Sequence, residues 1–583
     1  MKTLEKNLPI ILFWILLLSG VTTYFHFFAT YTFCLQEGGQ LFIPSLDGLL
    51  QSVAHPEGLC QYVSRWLTQW FFLPFVALAT HTLLVFATGI ICFRIFRTFA
   101  KGAFSYLATL LPTLYLLYAH TLSIYRVDGT VALLLVLVAL DVTLRQQARM
   151  ARCVVSALCA VLLFWMVGQA VAVFGVLSLT LGLLGNRREW PILVGVCVLS
   201  VALAWFGVTQ LLQLPLTDGI YSFRYQTSQF APTSLYCYVW LRFSCWLAGA
   251  ALVAFACTLL ADNRNWGQYV VGGLYVVAVG VEVVCYLLNP LTLRDEHTHR
   301  LWYLEQHARY DELLASFQDV VPQNLLELNL QNLALAKTGQ LAENMFRYPQ
   351  AGLQGLLSAW DKTTFSSTVL CEIHQAIGDH TIAESYAFEL QSTSRHGGHP
   401  AAIQLLAHNA QRRGDSLLVR RYLKLLGQMP HYRKWSADFP TSRDNPSHPM
   451  DSIHVGQSDS LFSLMSVDSL WMRHVAERPV NRIATEYLGC SYLLARELDK
   501  FRGLLFHLIE SPDWESLPRH FQEAAILVSK TDQPLSRPLP VATETVKRFL
   551  AFSKDLKQGR SLESMQRLYG DTYWFYYYNR KKQ

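Results

Sequence analysis

The sequence predicts an all-α protein in which a polytopic bundle of transmembrane helices precedes a water-soluble α-helical repeat domain. Long apolar stretches separated by short polar breaks fill residues 1–289, whereas no apolar stretch of residues 290–583 reaches membrane length. Hydrophobic residues make up 52% of the 583 residues, a high share for a wholly soluble chain. Helix-period patterning dominates the second half.

About nine stretches are apolar enough to cross a bilayer core, which takes roughly 20 residues. They are 8–31, 70–93, 103–122, 129–145, 153–168, 169–186, 190–212, 236–261 and 266–288. The first lacks a small-x-small cleavage site and is interpreted as an uncleaved span. A single helix over 153–186 would be about 50 Å long, so we expect it to break at Gly168-Gln169.

Successive loops of the first half alternate between many and few basic residues, and this alternation predicts the orientation of the chain in the membrane. One set of loops is rich in Lys and Arg: Lys2, Lys6, Arg94, Arg97, Lys101, Arg145, Arg149, Arg152, Arg187, Arg188 and Arg264. The positive-inside rule then places the N-terminus in the cytoplasm. An odd number of crossings places the C-terminal domain on the other side, which is the periplasm for a bacterial inner-membrane protein.

The second half shows weak internal repetition. Three helix–turn–helix units align on Gly339, Gly378 and Gly414, at spacings slightly above the roughly 34-residue period of tetratricopeptide repeats. We therefore predict tetratricopeptide-like repeats over 290–431, with a non-repeating helical bundle as the alternative.

A polar linker or long loop follows at 432–460, where prolines interrupt the helical pattern. Residues 461–583 form a second helical block that ends in an aromatic tail, which we expect to dock on the helical domain or, alternatively, to contact the membrane interface or a partner.

Ionisable residues inside or beside the predicted spans are candidate functional groups. Arg242 and Glu282 lie in the outer thirds of two spans, where they could form an ion pair that joins two helices. Arg126 and Asp128 flank a tight turn, where a local ion pair is the simpler interpretation. His81 and His120 are expected to be separate hydrogen-bonded packing residues.

Three segments resemble an uncharacterised membrane-protein family of Bacteroidota. They are Asn481-Arg482 with Glu486-Tyr487-Leu488, Leu517-Pro518-Arg519-His520-Phe521-Gln522-Glu523-Ala524, and Gly570-Asp571-Thr572-Tyr573-Trp574-Phe575-Tyr576-Tyr577. Gln36-Glu37 and Trp165-Met166-Val167-Gly168-Gln169-Ala170 are also similar to it. The resemblance covers nearly the whole chain and implies an inner-membrane location and a helical-repeat second half, but no activity or catalytic residue.

No specific catalytic, nucleotide-binding or metal motif is present in the sequence, so no cofactor or metal is predicted. His297 and His299 do not share a helix face, and no CxxC pair occurs. The net charge of +6 reflects topology rather than nucleic-acid binding. The expected partners are the lipid bilayer and a protein bound by the helical repeats, as in an envelope interaction or assembly protein.

The alternative function is a polytopic glycosyltransferase that uses lipid-linked sugar donors on the periplasmic side. A carboxylate in an outer loop would act as general base on an acceptor hydroxyl, and Glu37, Asp47 and Asp128 are the candidates. Arg126, Arg224 or Arg242 would contact a donor phosphate. A transporter is a third hypothesis, which the lack of a two-fold repeat among the spans disfavours.

Overall fold

The structure is a computed structural model in two compact units. It describes residues 2–99, 104–122, 125–185, 189–211, 213, 239–263, 265–288, 290–318, 320–393, 398–440, 481–510, 514, 516–529 and 540–579. These residues form helices and no strand. Of these described residues, unit 1 holds those up to His299 together with Gly427–Lys434, and unit 2 holds the others.

The helices of unit 1 follow one another with short connections. They are α1 (Lys2–Phe28), α2 (Thr30–Gly38), α3 (Leu46–Val53), α4 (Gly58–Thr68), α5 (Pro74–Phe96), α6 (Phe104–Thr121), α7 (Val127–Leu144), α8 (Arg149–Val167), α9 (Val171–Gly185), α10 (Trp190–Phe206), α11 (Val239–Asn263) and α12 (Asn265–Glu282). π-Helical turns extend α10 over Gly207–Leu211 and α12 over Val283–Leu287.

Six segments of the described residues are long and apolar enough to cross a membrane. They are Ile10–Phe28, Pro74–Phe96, Val127–Leu144, Arg149–Leu184, Trp190–Leu211 and Val239–Cys257. Every predicted span coincides with a helix, but the predicted count of about nine is not reached. The helix α6 contains Pro112 and several polar residues, and the apolar part of α12, Gly272–Leu287, is short.

The segment Arg149–Leu184 is interrupted where the sequence predicted a break. The helix α8 ends at Val167, Gly168 has a φ of +59°, and a 3₁₀ turn over Gly168–Ala170 leads into α9. Glycine adopts this left-handed φ without the steric cost that a side chain would bring. The break therefore divides one long apolar segment into two helices.

Apolar side chains of unit 1 lie both in its core and on its surface. Phe25, Val85 and Leu140 are fully buried between helices, whereas Leu16 and Leu83 are 70% and 61% exposed. Large exposed aliphatic side chains on long apolar helices suit a lipid environment, because hydrocarbon tails replace the contacts that water cannot provide. Unit 1 thus has the surface of a membrane protein.

Unit 2 is a succession of shorter helices. After α13 (Pro290–Gln306), which contains the boundary between the units, come α14 (Tyr310–Ala315), α15 (Leu325–Lys337), α16 (Leu341–Asn344), α17 (Thr364–Ile377), α18 (His380–Thr393), α19 (Pro400–Arg413), α20 (Ser416–Leu426), α21 (Arg433–Asp438), α22 (Arg482–Ala495), α23 (Leu498–Glu510), α24 (Arg519–Val528), α25 (Thr543–Lys557), α26 (Leu562–Tyr569) and α27 (Tyr573–Tyr578).

The three glycines that aligned the repeats all lie at helix ends with left-handed φ. The values are +67° at Gly339, +94° at Gly378 and +79° at Gly414. Successive helices from α17 to α20 pack against each other, and the short connections at Gly378 and Gly414 make α17–α18 and α19–α20 helical hairpins. The first unit departs from the pattern, because α15 is followed by the four-residue helix α16. The described residues therefore show helical hairpins without establishing a tetratricopeptide fold.

The aromatic tail docks on the helices of unit 2, as we expected from the sequence. Tyr573 and Trp574 are fully buried, and the Tyr576 hydroxyl donates to the Leu494 carbonyl over 3.0 Å. Most of the predicted linker, residues 441–460, and the start of the second helical block, residues 461–480, lie outside the described residues. The loop that contains Arg224 also lies outside them.

Candidate functional site

One end of the unit 1 bundle carries the three short helices α2–α4, and α2 is fixed there by a buried carboxylate. Glu296 accepts hydrogen bonds from the backbone N–H groups of Tyr31 and Thr32 over 2.7 and 3.0 Å, and from the Thr32 hydroxyl over 2.6 Å. A negative charge is favourable at a helix N-terminus. Burial nevertheless raises the pKa of Glu296, and these hydrogen bonds oppose the rise.

Glu37, near the C-terminus of α2, is almost fully buried. Its Oε2 accepts a hydrogen bond from the Tyr432 hydroxyl over 3.4 Å, and its Oε1 has no hydrogen-bond partner among the described residues. Burial raises the pKa of Glu37 to about 8, although the Tyr432 hydrogen bond lowers it. A carboxyl group with a pKa near neutrality can exchange a proton with a substrate.

A second group of charges lies where α4 meets the start of α7. The Arg126 guanidinium contacts the Asp128 carboxylate over 3.4 Å, and the Gly129 N–H donates to Asp128 Oδ1 over 3.0 Å. The predicted local pair is therefore formed. The Cys60 thiol of α4 contacts the Asp128 carbonyl over 3.6 Å, so α4 packs directly on this turn.

Arg65 of α4 adds a second guanidinium to this turn. Burial and the positive charge of Arg126 lower the pKa of Arg65, and the negative charge of Asp128 opposes them. The Arg65 Nε atom is buried and has no hydrogen-bond partner among the described residues. We call Arg65, Arg126 and Asp128 the arginine cluster. Two guanidinium groups and one carboxylate leave it with an excess of one positive charge.

Residues on either side of Glu37 tie α2 to the arginine cluster. The Gln36 side chain donates to the Tyr125 carbonyl over 3.5 Å, one residue before Arg126. The Gln40 side chain donates to the Arg65 carbonyl over 3.0 Å. Glu37 and the arginine cluster therefore occupy the same end of the bundle as neighbouring sites.

The remaining candidates do not join this site. Asp47 is exposed in the first turn of α3. The expected Arg242–Glu282 pair is not formed, because both Glu282 carboxylate oxygens are buried without a hydrogen-bond partner among the described residues. Arg242 lies close enough to Tyr115 of α6 for its charge to act on that side chain.

His81 and His120 form a pair that sequence reasoning missed. Their Nδ1 atoms lie 2.6 Å apart, and His120 Nε2 lies 2.7 Å from the Thr130 hydroxyl. The Phe33 ring stacks on His81 with centroids 3.6 Å apart. These residues lie on four different helices, so no spacing in the sequence could have revealed the pair.

Two further residues of the site were also missed. Arg65 lies in the loop between the first two predicted spans, where the sequence connects it to no carboxylate. Tyr432 lies in the second half of the chain, far from Glu37 in sequence. Only the folded structure brings them to these carboxylates. Within the described residues, no group of three or more His, Cys, Asp or Glu side chains could hold a metal ion.

Comparison with known proteins gives one family. A model described as a family of unknown function (DUF6057) matches residues 6–580. No curated protein and no solved structure is significantly similar to the chain.

Proposed function

The chain belongs to this family of unknown function, and we propose that it is an integral membrane glycosyltransferase that uses a lipid-linked sugar phosphate as donor. The observation that carries the proposal is the arginine cluster, in which Arg126 contacts the Asp128 carboxylate and the Arg65 guanidinium lies within range of both charges, at the same end of the bundle as the buried Glu37. Binding an anion there would neutralise the excess charge and give the Arg65 Nε a partner.

A phosphate group suits the arginine cluster in both geometry and charge. Guanidinium groups bind phosphate oxygens through paired, charge-assisted hydrogen bonds. Arg126 and Arg65 are both partly accessible, whereas Asp128 is buried beneath them. A donor with a polyprenyl chain would place its tail along the apolar helices and its phosphate at this end of the bundle.

Glu37 is the group that we assign to the acceptor. Its carboxylate would take the proton of an acceptor hydroxyl while the acceptor oxygen bonds to the anomeric carbon of the sugar. The bond from that carbon to the donor phosphate oxygen breaks at the same time, and the lipid phosphate leaves with the electron pair. The arginine cluster would stabilise the negative charge on this leaving group.

We further propose a bacterial inner-membrane location, with the N-terminus in the cytoplasm and unit 2 in the periplasm. The alternation of basic loops supports this orientation. It would place Glu37 and the arginine cluster on the periplasmic side, where lipid-linked sugars serve as donors because nucleotide sugars are absent.

The donor half of this function can be tested by binding. We expect polyprenyl phosphate to raise the melting temperature of the protein in nanodiscs, and polyprenol, which lacks the phosphate, to have little effect. Arg126→Gln and Arg65→Gln should each weaken binding by about 10- to 100-fold, the effect of losing a charge-assisted hydrogen bond. The matched control is Arg94→Gln, because Arg94 pairs with Asp141 at the other end of α7.

Two results would contradict the proposal. Equal stabilisation by polyprenol and polyprenyl phosphate would mean that the tail alone is bound. Equal weakening by Arg94→Gln would mean that phosphate is attracted by general positive charge rather than by the arginine cluster.

A second candidate function is recruitment of a protein partner by the helical hairpins, in the manner of tetratricopeptide-like repeats. The observation that favours it is the exposure of Phe388 on α18 and Leu417 on α20, at 51% and 75%. Exposed large apolar side chains on stacked hairpins are typical of binding surfaces. Co-purification of one defined protein that is lost with Phe388→Ser and Leu417→Ser, but kept with Leu353→Ser, would support it.

A further inference from the structure

The segment Gly427–Lys434 belongs to unit 1, although the residues on both sides of it belong to unit 2. Met429 and Tyr432 of this segment are buried. The His431 ring lies on Phe72 with centroids 4.5 Å apart and packs edge-on against Tyr432 at 4.6 Å. The segment therefore brings the rings of His431 and Tyr432 to the end of the bundle that carries α2–α4.

The contact between Tyr432 and Glu37 has the chemistry of a base and its substrate. The Tyr432 hydroxyl donates to Oε2 of Glu37, and this is the hydrogen bond that an acceptor hydroxyl forms before it gives up its proton to a general base. Tyr432 itself is buried, and burial together with the Glu37 charge raises its pKa well above the ordinary value. It therefore stays a neutral hydroxyl donor.

We propose that His431 and Tyr432 occupy the acceptor subsite, and that this subsite takes a hydroxyl-bearing ring such as a sugar when Gly427–Lys434 moves aside. The inference rests on the proposed function, because it assigns the acceptor position of that reaction. A ring on Phe72 and a hydroxyl on Glu37 are the two contacts that the acceptor would reproduce.

The energetics allow such an exchange. An acceptor hydroxyl would make the same hydrogen bond to Glu37 that Tyr432 gives up, so the exchange of one hydrogen bond for the other has little net cost. Oε1 of Glu37, which has no partner among the described residues, offers a second position for a ligand hydroxyl. While Tyr432 is in place it also keeps water from the carboxylate, which would otherwise compete as an acceptor.

The first test measures access to Glu37 in the full-length protein in nanodiscs. Carbodiimide labelling of the Glu37 peptide, quantified by mass spectrometry, should be slow in the natural protein and rise several-fold in Tyr432→Phe. The matched control is Tyr275→Phe, because the equally buried Tyr275 also donates a single hydrogen bond, to the Ala108 carbonyl over 2.9 Å.

The second test asks what the subsite binds. In Tyr432→Ala, methyl glucoside should protect Glu37 from the carbodiimide, whereas the fully O-methylated sugar, which has the same ring without hydroxyl donors, should not. In the natural protein methyl glucoside should protect less, because Tyr432 holds the position. If Tyr432→Ala does not fold, the same comparison is made in Tyr432→Phe.

Unchanged labelling in Tyr432→Phe, or equal protection by both sugars, would overturn the inference. A failure of the proposed donor site can be distinguished from a failure of the acceptor subsite. Polyprenyl phosphate binding is expected to depend on Arg65 and Arg126, and it is measured without Tyr432 variants. If polyprenyl phosphate binds but Tyr432→Phe leaves the labelling of Glu37 unchanged, only the acceptor subsite is refuted. Sugar protection without polyprenyl phosphate binding refutes only the donor.

Discussion

Glu57 lies directly against Gly168, in the break between α8 and α9. A Cβ atom at residue 168 would come within 2.3 Å of the Glu57 side chain, and both residues have left-handed backbone, with φ of +70° and +59°. The Glu57 N–H donates to the Trp165 carbonyl over 3.1 Å, and the Trp165 indole donates to the Val53 carbonyl over 2.9 Å. The turn between α3 and α4 thus fills the helix break.

Gly168→Ala should therefore destabilise the protein, by about 2–4 kcal/mol. The added methyl group overlaps a buried side chain, and alanine is strained at this φ. Thermal melting in nanodiscs measures the effect. Gly195→Ala is the matched control, because Gly195 lies in α10 with open space around its Cβ position, and alanine there should be neutral or slightly stabilising. Equal melting temperatures for the two variants would contradict the packing described here.

Glu37→Gln should change how stability depends on pH. Burial raises the pKa of Glu37 from 4.5 to about 8, so the folded protein keeps the proton in a range where the unfolded chain releases it. The natural protein should thus lose stability as pH rises from about 4.5 to about 8, whereas Glu37→Gln, which is always neutral, should not. At pH 8 we expect the variant to be more stable by roughly 2–4 kcal/mol.

Thermal melts of both proteins across this pH range check the Glu37 prediction. Asp47→Asn removes an exposed carboxylate from the same region and serves as the control, with a melting-temperature difference that we expect to be small at every pH. A difference between Glu37→Gln and the natural protein that stayed constant with pH would show that Glu37 titrates alike in the folded and unfolded states.

The sequence predicted the secondary structure of this protein better than its charge pairs. Apolar stretches and glycines act locally, so the helices of unit 1, the break at Gly168 and the left-handed turns at Gly378 and Gly414 followed from neighbouring residues. The Arg126–Asp128 contact was foreseen for the same reason.

Contacts between distant helices were not predictable in this way. The mistaken Arg242–Glu282 pair shows why, since depth in a span can be read from sequence, but the direction in which a side chain points around its helix depends on packing. The same reasoning applies to His81 with His120, and to Glu37 with Tyr432, whose partners lie on elements that the sequence does not connect.

Lys337 should be one of the residues on which the stability of unit 2 depends most. Its ammonium group contacts Glu305 over 2.7 Å and Glu372 over 2.9 Å, with Lys337 and Glu305 nearly buried. Lys337→Met keeps the unbranched apolar part of the side chain but leaves two carboxylates without their cation, which should cost about 3–5 kcal/mol. Denaturant or thermal unfolding of the full-length protein measures the loss.

The control for Lys337 is Arg309→Gln. Arg309 pairs with Glu312, and both side chains are about half exposed, so this pair should contribute less than about 1 kcal/mol. A Lys337→Met protein as stable as Arg309→Gln would mean that the two glutamates become protonated or hydrated without cost.

The orientation of the chain makes a prediction that can be tested in cells. In the orientation that we propose, with an odd number of crossings and a cytoplasmic N-terminus, a reporter fused after Gln583 should be active only in the periplasm. A reporter inserted after Gln147, between α7 and α8, should be active only in the cytoplasm, since this loop carries Arg145 and Arg149. Activity of both reporters on the same side would require another number of crossings. It would also move Glu37 and the arginine cluster relative to the donor that we propose for them.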